Sequence, residues 1–427
     1  MSDPANEPSF RLDVTGQPDA FEVQAFTGSE SINAPFVFEL ELLIRDPELD
    51  LASLLYRPAW LSFGPGGEGI HGQLHGLEQR EHGLPFRRCR VRLGPRLACL
   101  DQRFSQRIFT GLSVPQVIDQ VLAEHGIGGR ARRFELREDY PIQDFCTQYR
   151  ESDLTFVQRL CAQSGIHYHF QHHPGGHCLV FGDSQASFQR GRELRFEAVG
   201  GQTFRLRGTC GAGRAPGAEG HSDLASLRCG ALLPVRSHPI ADCNQPWLLT
   251  RVEHQGTANT YRNRFWAVPC EAPFQVSPAL TKPRMDSLQR AWVVHVDEDG
   301  PETARRIAVQ FDWLYQGEGS ALGHCWLPLA PELGDRAALK LDHGTEVLVS
   351  FIEGDPDQPM ISGFLCGSTR AVGVTPDPPP ETLLTLIQAN MPLTLLCLLP
   401  GGGSFSQCRE TVCTCRVVTR FNQRGVA

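Results

Sequence analysis

Short stretches of alternating hydrophobic and polar residues dominate the first hundred positions of the chain. The segments FRLDV, FEVQAF, FVFELELLI, AWLSF, GIHGQLHGLEQ and RCRVRL are separated by Gly and Pro. Period-two alternation is typical of half-buried antiparallel strands, and even spacing of such strands is typical of a small barrel or sandwich. The pattern therefore predicts a first β-barrel in residues 1–100, with DPELDLASLLYRPAW forming a helical turn that ends at Pro58.

Two segments after this barrel have helical spacing instead. SVPQVIDQVLAEHGI has Ser113 as a candidate N-cap and Gly126 as its end, and YRESDLTFVQRLCAQSGIHYHF has Ser152 or Asp153 as a cap and Gly165 as a left-handed exit. The apolar face predicted for the second helix consists of Leu154, Phe156, Val157, Leu160 and Cys161.

Strand patterns return after the second helix. They are IHYHFQHH, CLVFGDS, FRLRGTC, PWLLTRVEHQG and RNRFWAVPC, and the Gly/Ala-rich span RGTCGAGRAPGAEGHS between them is expected to be a surface loop. We therefore predict that residues 101–284 form a helical linker and a second β-barrel. The prolines and basic residues near 273–284 mark its end.

Five further strand patterns occupy residues 285–370, namely QRAWVVHVDE, RRIAVQFDW, CWLPLA, GTEVLVSFIEGDP and QPMISGFLCGS. Five short strands that close on themselves predict an OB-fold barrel. The proline-rich TPDPPPE follows, and residues 371–427 are expected to be a separate, divergent tail. The predicted fold class is thus mainly β, with two linked barrels, helical insertions, a five-stranded barrel and a tail.

Composition narrows the functional classes. A hydrophobic fraction of 41% and a charged fraction of 21% suit a folded globular chain, and a net charge of −8 without basic runs argues against nucleic acid as a partner. The sequence has no apolar run long enough for a membrane span, and its N-terminal residues lack the pattern of a signal peptide. The fifteen cysteines have no regular spacing, which favours reduced, buried thiols.

Two long motifs resemble the VgrG family of bacterial type VI secretion, which is similar to the hub and spike of contractile phage tails. The first is YRESDLTFVQRLCAQSGIHYHF, and the second combines RIAVQFDW, CWLPLA and HGTEVLVSFIEGDPDQP. The positions that match the second motif are Arg306, Val309, Phe311, Trp313, Cys325, Trp326, Gly344, Glu346, Val347, Val349, Phe351, Gly354, Asp355, Pro356, Asp357 and Pro359.

The resemblance implies a non-enzymatic machine part without a cofactor or metal. It implies a homotrimer whose barrels form a ring matched to the hexameric Hcp tube, with the OB domains at the neck, assembled in the bacterial cytoplasm and then secreted with effectors. The residues expected to serve structure or interfaces are Arg150, Glu151, Ser152, Asp153, Leu154, Phe156, Val157, Leu160, Gly165, Phe311, Trp313, Trp326, Gly354, Asp355 and Pro356. The family continues into a repetitive β-helix needle, whereas residues 371–427 contain no such repeat, so a short form without a needle is expected.

Other chemistry is possible at several positions. His167, His169, His172, His173 and His177 are close enough in sequence for a metal, although QHHPGGH is typical of a hairpin with solvated histidines. Four tail cysteines, Cys397, Cys408, Cys413 and Cys415, lack paired C-x-x-C spacing.

Enzymatic alternatives have weaker patterns. GGGSFS around Ser404 only partly matches a nucleophile elbow, and Asp355 with Asp357 is more typical of a turn than of a glycosidase pair. The remaining functional alternatives are a secreted effector or cargo adaptor whose tail carries activity, and a phage-like baseplate hub protein.

Overall fold

A computed structural model describes residues 10–365, except 18–20, 45, 47, 65, 84–85, 192, 196–202, 208–216, 258–259, 272–280, 296–305, 314–323 and 334–340. The described residues form two compact units. Unit 1 consists of the described residues within Met1–Arg103, Ser113–Pro141 and Ser152–Thr281, and unit 2 of those within Phe104–Leu112, Ile142–Glu151 and Lys282–Ala427.

The protein is mainly β. In chain order the first strands are β1 Phe10–Val14, β2 Phe21–Ser31, β3 Ala34–Ile44, β4 Pro58–Phe63, β5 Gly69–Gly83, β6 Phe86–Gly94, β7 Phe104–Phe109, β8 Leu112–Ser113, β9 Arg132–Glu135, β10 Ile142–Gln143, β11 Cys146–Ser152, β12 His167–His173 and β13 Gly176–Gly182. The later strands are β14 Gln189–Arg190, β15 Leu194–Arg195, β16 Thr203–Arg207, β17 Gly217–Ser222, β18 Ala231–Arg236, β19 Pro246–Thr257, β20 Thr260–Pro269, β21 Gln289–Val293, β22 Arg306–Phe311, β23 Cys325–Pro328, β24 Glu346–Phe351 and β25 Pro359–Leu365.

Helices are few and short. The α-helices are α1 Val114–Glu124 and α2 Asp153–Gln163. The 3-10 helices are Ala52–Leu54, Arg96–Gln102, Gly129–Ala131, Gln185–Ser187, Ala241–Cys243, Pro331–Leu333 and Ile352–Gly354. The helical turn predicted before Pro58 is therefore the 3-10 helix Ala52–Leu54.

The first six strands of unit 1 close into a barrel. Their order is β1-β4-β5-β6-β3-β2, and β2 pairs back to β1 at Glu22 and Arg11. Inward positions carry aromatic rings: Phe26 lies 5.1 Å from both Phe10 and Phe63, measured between ring centroids. Period-two alternation thus puts one face of each strand into an aromatic core, as the sequence predicted.

A half-barrel continues from the first barrel in the same sheet. Strand β2 pairs with β19 over Ala25–Ser31, and the order then runs β19-β20-β17-β16. Strand β18 pairs with the first residues of β19, on the edge opposite β20, and β14 and β15 pair with β18. Trp247 anchors the core of the half-barrel: it is fully buried, and its indole N–H donates to the Cys243 carbonyl at 3.0 Å.

The expectation of a loop throughout RGTCGAGRAPGAEGHS is wrong for its last six residues, which form strand β17. Gly220 pairs with Phe265, and a Cβ on Gly220 would lie 2.2 Å from the Phe265 ring. Because a glycine lets the ring lie against the backbone, the strand has no side-chain alternation at this point, and its sequence looks like a loop.

The α1 and α2 predictions are confirmed. Ser113 and Gln116 form a capping box, and the buried face of α1 contains Val117, Ile118, Val121 and Leu122. Gly126 and Gly165 follow the two helices with φ of 68° and 70°, the left-handed region that favours glycine. Strand β12 then pairs antiparallel with β13, which pairs parallel with β9.

Unit 2 contains the predicted five-stranded barrel. All five strands form, in the order β23-β22-β21-β24-β25, and a parallel bridge between Leu329 and Ile361 connects the two outer members. This closed order is that of an OB-fold.

Unit 2 also includes two segments from the middle of the chain, Phe104–Leu112 and Ile142–Glu151. Strands β7 and β11 pair with each other, and Ile108, Phe145 and Tyr149 pack against the core of the five-stranded barrel. Residues 104–112 and 142–151 thus belong to the same compact unit as the last strands. The domain limits 1–100, 101–284 and 285–370 stay predictions. The predicted tail, 371–427, lies outside the described residues.

Candidate functional site

The polar residues at the start of α2 form a hydrogen-bonded joint within unit 1. Ser152 caps the helix by accepting from the Thr155 amide at 3.2 Å, and its hydroxyl donates to Asp101 at 2.8 Å. The Asp153 side chain is fully buried, and its Oδ2 lies 2.7 Å from His125 Nε2 and 3.5 Å from Arg103 Nε. Both residues thus fix the start of α2 rather than face solvent.

The preceding residues lie in unit 2 and have different surroundings. Arg150 is exposed, has a left-handed φ of 51°, and places its guanidinium 5.0 Å from the Tyr149 ring centre. Glu151 is buried, and its backbone carbonyl accepts a hydrogen bond from the side-chain amide of the buried Gln148 at 3.2 Å. Of the predicted RESD segment, Arg150 is the member exposed to solvent.

Helix α2 buries most of its predicted face. Phe156, Val157 and Leu160 are buried, whereas Leu154 is only half-buried. The sequence did not predict Arg159 as a core residue, but it is fully buried, with its guanidinium 5.2 Å from the Phe156 ring centre and donating to Gln163 at 3.2 Å. A charged residue at a helical position gives no signal of burial from periodicity alone.

The EGDPDQP turn is a second polar joint, within unit 2. Gly354 has a φ of 73°, and Asp355 accepts from the Asp357 amide at 2.9 Å, as the turn motif predicted. The sequence did not identify the partner: Lys282 Nζ lies 2.5 Å from both Asp355 Oδ1 and Asp357 Oδ2.

The same turn binds a strand from the middle of the chain. The Thr147 amide donates to Asp357 at 2.5 Å, and the Thr147 hydroxyl donates to the Pro356 carbonyl at 2.9 Å. These carboxylates are therefore engaged in ion pairs and backbone hydrogen bonds, an arrangement that stabilises a turn.

The predicted aromatic residues lie around the five-stranded barrel. Phe311 is buried and lies 5.0 Å from Trp313, measured between ring centroids. The FDW pattern predicts both rings on one strand face. Strand β22 ends at Phe311, however, and Trp313 lies in the turn that follows. Trp326 lies on β23, is half-buried, and has its ring 6.2 Å from His324.

The two histidines at the start of β12 share one strand face, as predicted. The rings of His167 and His169 lie 4.4 Å and 5.4 Å from Phe188, and both side chains are buried. Burial lowers the pKa of His167 to about 4 and that of His169 to about 3. Both are therefore neutral near pH 7.

The other histidines correct the expectation that QHHPGGH is solvated. His173 is exposed, but the His172 side chain is only 1% exposed and His177 is half-buried. The reason is tertiary: the hairpin lies against the barrel, where the His177 and His71 rings come together. The sequence gives no signal for His71, which is 106 positions away.

A buried polar chain lies behind this hairpin. Glu30 Oε1 is 2.7 Å from His254 Nε2, and His254 Nδ1 is 2.6 Å from the Tyr261 hydroxyl. His172 Nε2 lies 4.0 Å from Glu30 Oε2. Burial lowers the pKa of His172 and His254, although the Glu30 carboxylate opposes the shift at His254.

Some of the metal and nucleophile candidates from the sequence lie outside the described residues. In the part of the chain that the structure describes, no three His, Cys, Asp or Glu side chains come together as a metal site. Ser404 and the cysteines Cys397, Cys408, Cys413 and Cys415 lie outside the described residues. Among the residues described, no helix has the length and apolar character needed to cross a membrane.

The chain is similar in sequence to known phage tail hub and type VI secretion spike proteins. A family model described as the phage tail baseplate hub (GPD) matches residues 29–209. The type VI secretion system spike protein VgrG4b of Pseudomonas aeruginosa is 36% identical over 87% of this chain and 58% of the relative, and VgrG5 of the same organism is 32% identical over 96% of this chain and 62% of the relative. The chain thus spans about 60% of the length of these relatives.

A solved structure has the same fold. The Escherichia coli c3393 protein, described as a type VI secretion component with structural similarity to the phage T4 tail proteins gp27 and gp5, is 25% identical with a TM-score of 0.70. The match covers 83% of this chain and 100% of that protein.

Proposed function

Because this chain belongs to the VgrG family, we propose that it is the hub and neck of a type VI secretion spike, which works by shape-matched contacts and without catalysis. The family relationship rests on curated relatives and on a structural match that extends over both units.

One observation carries the proposal, namely the combination of a closed barrel fused to a half-barrel in unit 1 with a five-stranded OB barrel in unit 2. The structural similarity to the c3393 protein covers 83% of this chain. Fold alone does not determine function, but here it coincides with relatives named as spike proteins.

The charge-assisted joints at Asp153 and Asp357 suit a mechanical part. Asp153 ties the start of α2 to His125 at the end of α1, and Asp357 ties its turn to Thr147 on β11, each through a short contact to a carboxylate. We assign Ser152, Asp153, Gly354, Asp355 and Pro356 to this internal scaffold, and Arg150 to a surface that a partner can contact.

The partner we propose is a hexameric Hcp tube, on which three copies of this chain form a ring of barrels. Stable interfaces of this kind bury on the order of 1,200–2,000 Å² or more, which a barrel ring supplies without a catalytic residue. Assembly would occur in the bacterial cytoplasm, followed by secretion with the spike into a target cell or the medium.

The test is the solution mass of the purified chain, alone and with Hcp, by light scattering after size-exclusion chromatography. A trimer that co-elutes with Hcp is expected. A monomer that elutes separately from Hcp at micromolar concentrations of both proteins would refute the proposal.

A second candidate is a secreted effector or cargo adaptor whose residues 371–427 carry activity or binding. One relative, from Vibrio cholerae, is named an actin cross-linking toxin, and it is 25% identical over 42% of its own length. Removal of residues 371–427 separates the candidates: loss of target-cell toxicity with Hcp binding intact favours the effector. A phage-like baseplate hub would bind a tail tube but not Hcp.

A further inference from the structure

Two histidines from distant parts of the chain face each other at the surface of unit 1. His71 is on β5 and His177 is on β13, and their Nδ1 atoms are 3.0 Å apart. Both line a pocket of about 210 Å³ that also includes Gln73, Phe170 and Leu179. The pocket has room for several water molecules beside the two ring nitrogens.

Packing holds the His177 imidazole in place. The His177 ring lies 5.7 Å from the rings of Phe36 and of Phe170, measured between centroids. The His71 backbone amide donates to His172 Nδ1 at 3.3 Å, next to the turn of the β12–β13 hairpin, so the hairpin is tied to β5. The two strands that carry the pair are thus joined by a hydrogen bond that does not involve the rings of His71 and His177.

The two Nδ1 atoms are within hydrogen-bond distance of each other, so one ring donates through Nδ1–H and the other accepts. A neutral imidazole can instead carry its proton on Nε2, and in that tautomer its Nδ1 lone pair can bind a metal ion.

The spacing of the nitrogens is compatible with ligation of one ion by both rings. With metal–nitrogen bonds of about 2.0–2.1 Å, adjacent ligands are about 3.4 Å apart in a tetrahedron and about 2.9 Å apart at right angles. The observed 3.0 Å is the length of the hydrogen bond between the two rings, and it lies within this range. Two imidazole nitrogens completed by water oxygens form the nitrogen and oxygen set that is typical of Cu²⁺ and Ni²⁺.

We propose that His71 and His177 form a two-imidazole site for a divalent ion of the Cu²⁺ or Ni²⁺ type, with pocket water in the remaining positions. When the ion binds, the proton that lies between the two Nδ1 atoms moves to Nε2 of its own ring, so that both neutral rings offer an Nδ1 lone pair. Its binding links β5 to the β12–β13 hairpin and stabilises unit 1. The site is independent of the proposed hub function.

The experiment uses Ni²⁺ alone as the probe, because cysteine thiols reduce Cu²⁺. The full chain is treated with N-ethylmaleimide and titrated with Ni²⁺ at pH 7.5 by calorimetry, together with His71→Gln, His177→Gln and the double variant. We expect a site in the parent that weakens roughly tenfold or more, about 1.4 kcal/mol, in each single variant. His221→Gln, at an exposed position of β17, is the matched control and should bind as the parent does.

A second measurement needs no variant. Diethyl pyrocarbonate modification of the parent is mapped by mass spectrometry with and without Ni²⁺, and protection is expected at His71 and His177 but not at His221. Equal Ni²⁺ affinity in the parent and the double variant, or unchanged modification of both histidines at saturating Ni²⁺, would overturn the assignment.

Discussion

The backbone amide of Thr147 donates a hydrogen bond to the Asp357 carboxylate at 2.5 Å, across 210 positions of sequence. Asp357 also pairs with Lys282, so a single carboxylate joins three parts of unit 2. A turn motif that looks local in sequence therefore has a long-range structural role.

Replacement of Asp357 by Ala should destabilise unit 2 by about 1–3 kcal/mol, because it leaves the Thr147 amide and the Lys282 ammonium without this acceptor. Urea unfolding followed by Trp fluorescence measures the change. Asp286→Ala removes an exposed carboxylate of the same unit and should change the free energy of unfolding by less than about 0.5 kcal/mol. Equal effects of the two substitutions would contradict the role of Asp357.

The buried Asp153 should be more sensitive still. Asp153→Ala removes the acceptor of His125 and Arg103 at a fully buried position, and we expect a loss of about 3–5 kcal/mol. Asp139→Ala, at an exposed position of the same unit, is the control. Thermal unfolding of both variants measures the loss of stability. A melting temperature of Asp153→Ala equal to that of the parent would contradict the role of the Asp153 carboxylate.

Unit 1 should lose stability in mild acid. The folded-state pKa values of His167 and His169 are lowered to about 4 and about 3, whereas an unfolded chain titrates near 6.5, so the unfolded state binds more protons below that pH. The contribution of these residues is complete above pH 6.5 and is lost as the pH falls toward 4. Urea midpoints measured from pH 8 to pH 4 should follow this decline.

The variant His169→Phe tests the assignment. It keeps a ring against Phe188 and removes a buried ionisable group whose Nδ1 has no hydrogen-bond partner. The fall in stability between pH 6.5 and pH 4 should be smaller in this variant than in the parent. An identical pH profile would show that His169 does not contribute.

Gly220 should not tolerate a side chain. Gly220→Ala places a Cβ 2.2 Å from the Phe265 ring, and the repacking should cost about 1–3 kcal/mol. Gly76→Ala, on β5, meets no atom within 4 Å and is the matched control, with an expected change below about 0.5 kcal/mol. Thermal unfolding of the two variants should give clearly different melting temperatures.

Most of the elements were predictable because they depend on local periodicity. Strand β1 and the five strands of the OB barrel follow from alternation, and the ends of α1 and α2 follow from Ser113, Gly126 and Gly165, whose capping and left-handed conformations are local properties. Strand β17 was missed, since Gly220 leaves a gap in the alternation that only the Phe265 ring explains.

The sequence alone therefore determined the fold class, the order of the elements and the residues of the two polar motifs. The tertiary structure decided which distant groups complete these motifs: Lys282 and Thr147 at the EGDPDQP turn, and His125 at Asp153. It also placed His71 opposite His177. The physical reason is that backbone preferences and hydrophobic alternation act over a few residues. Burial of a charge or an imidazole depends on contacts between groups that are 28 to 210 positions apart, and such contacts leave no periodic signal.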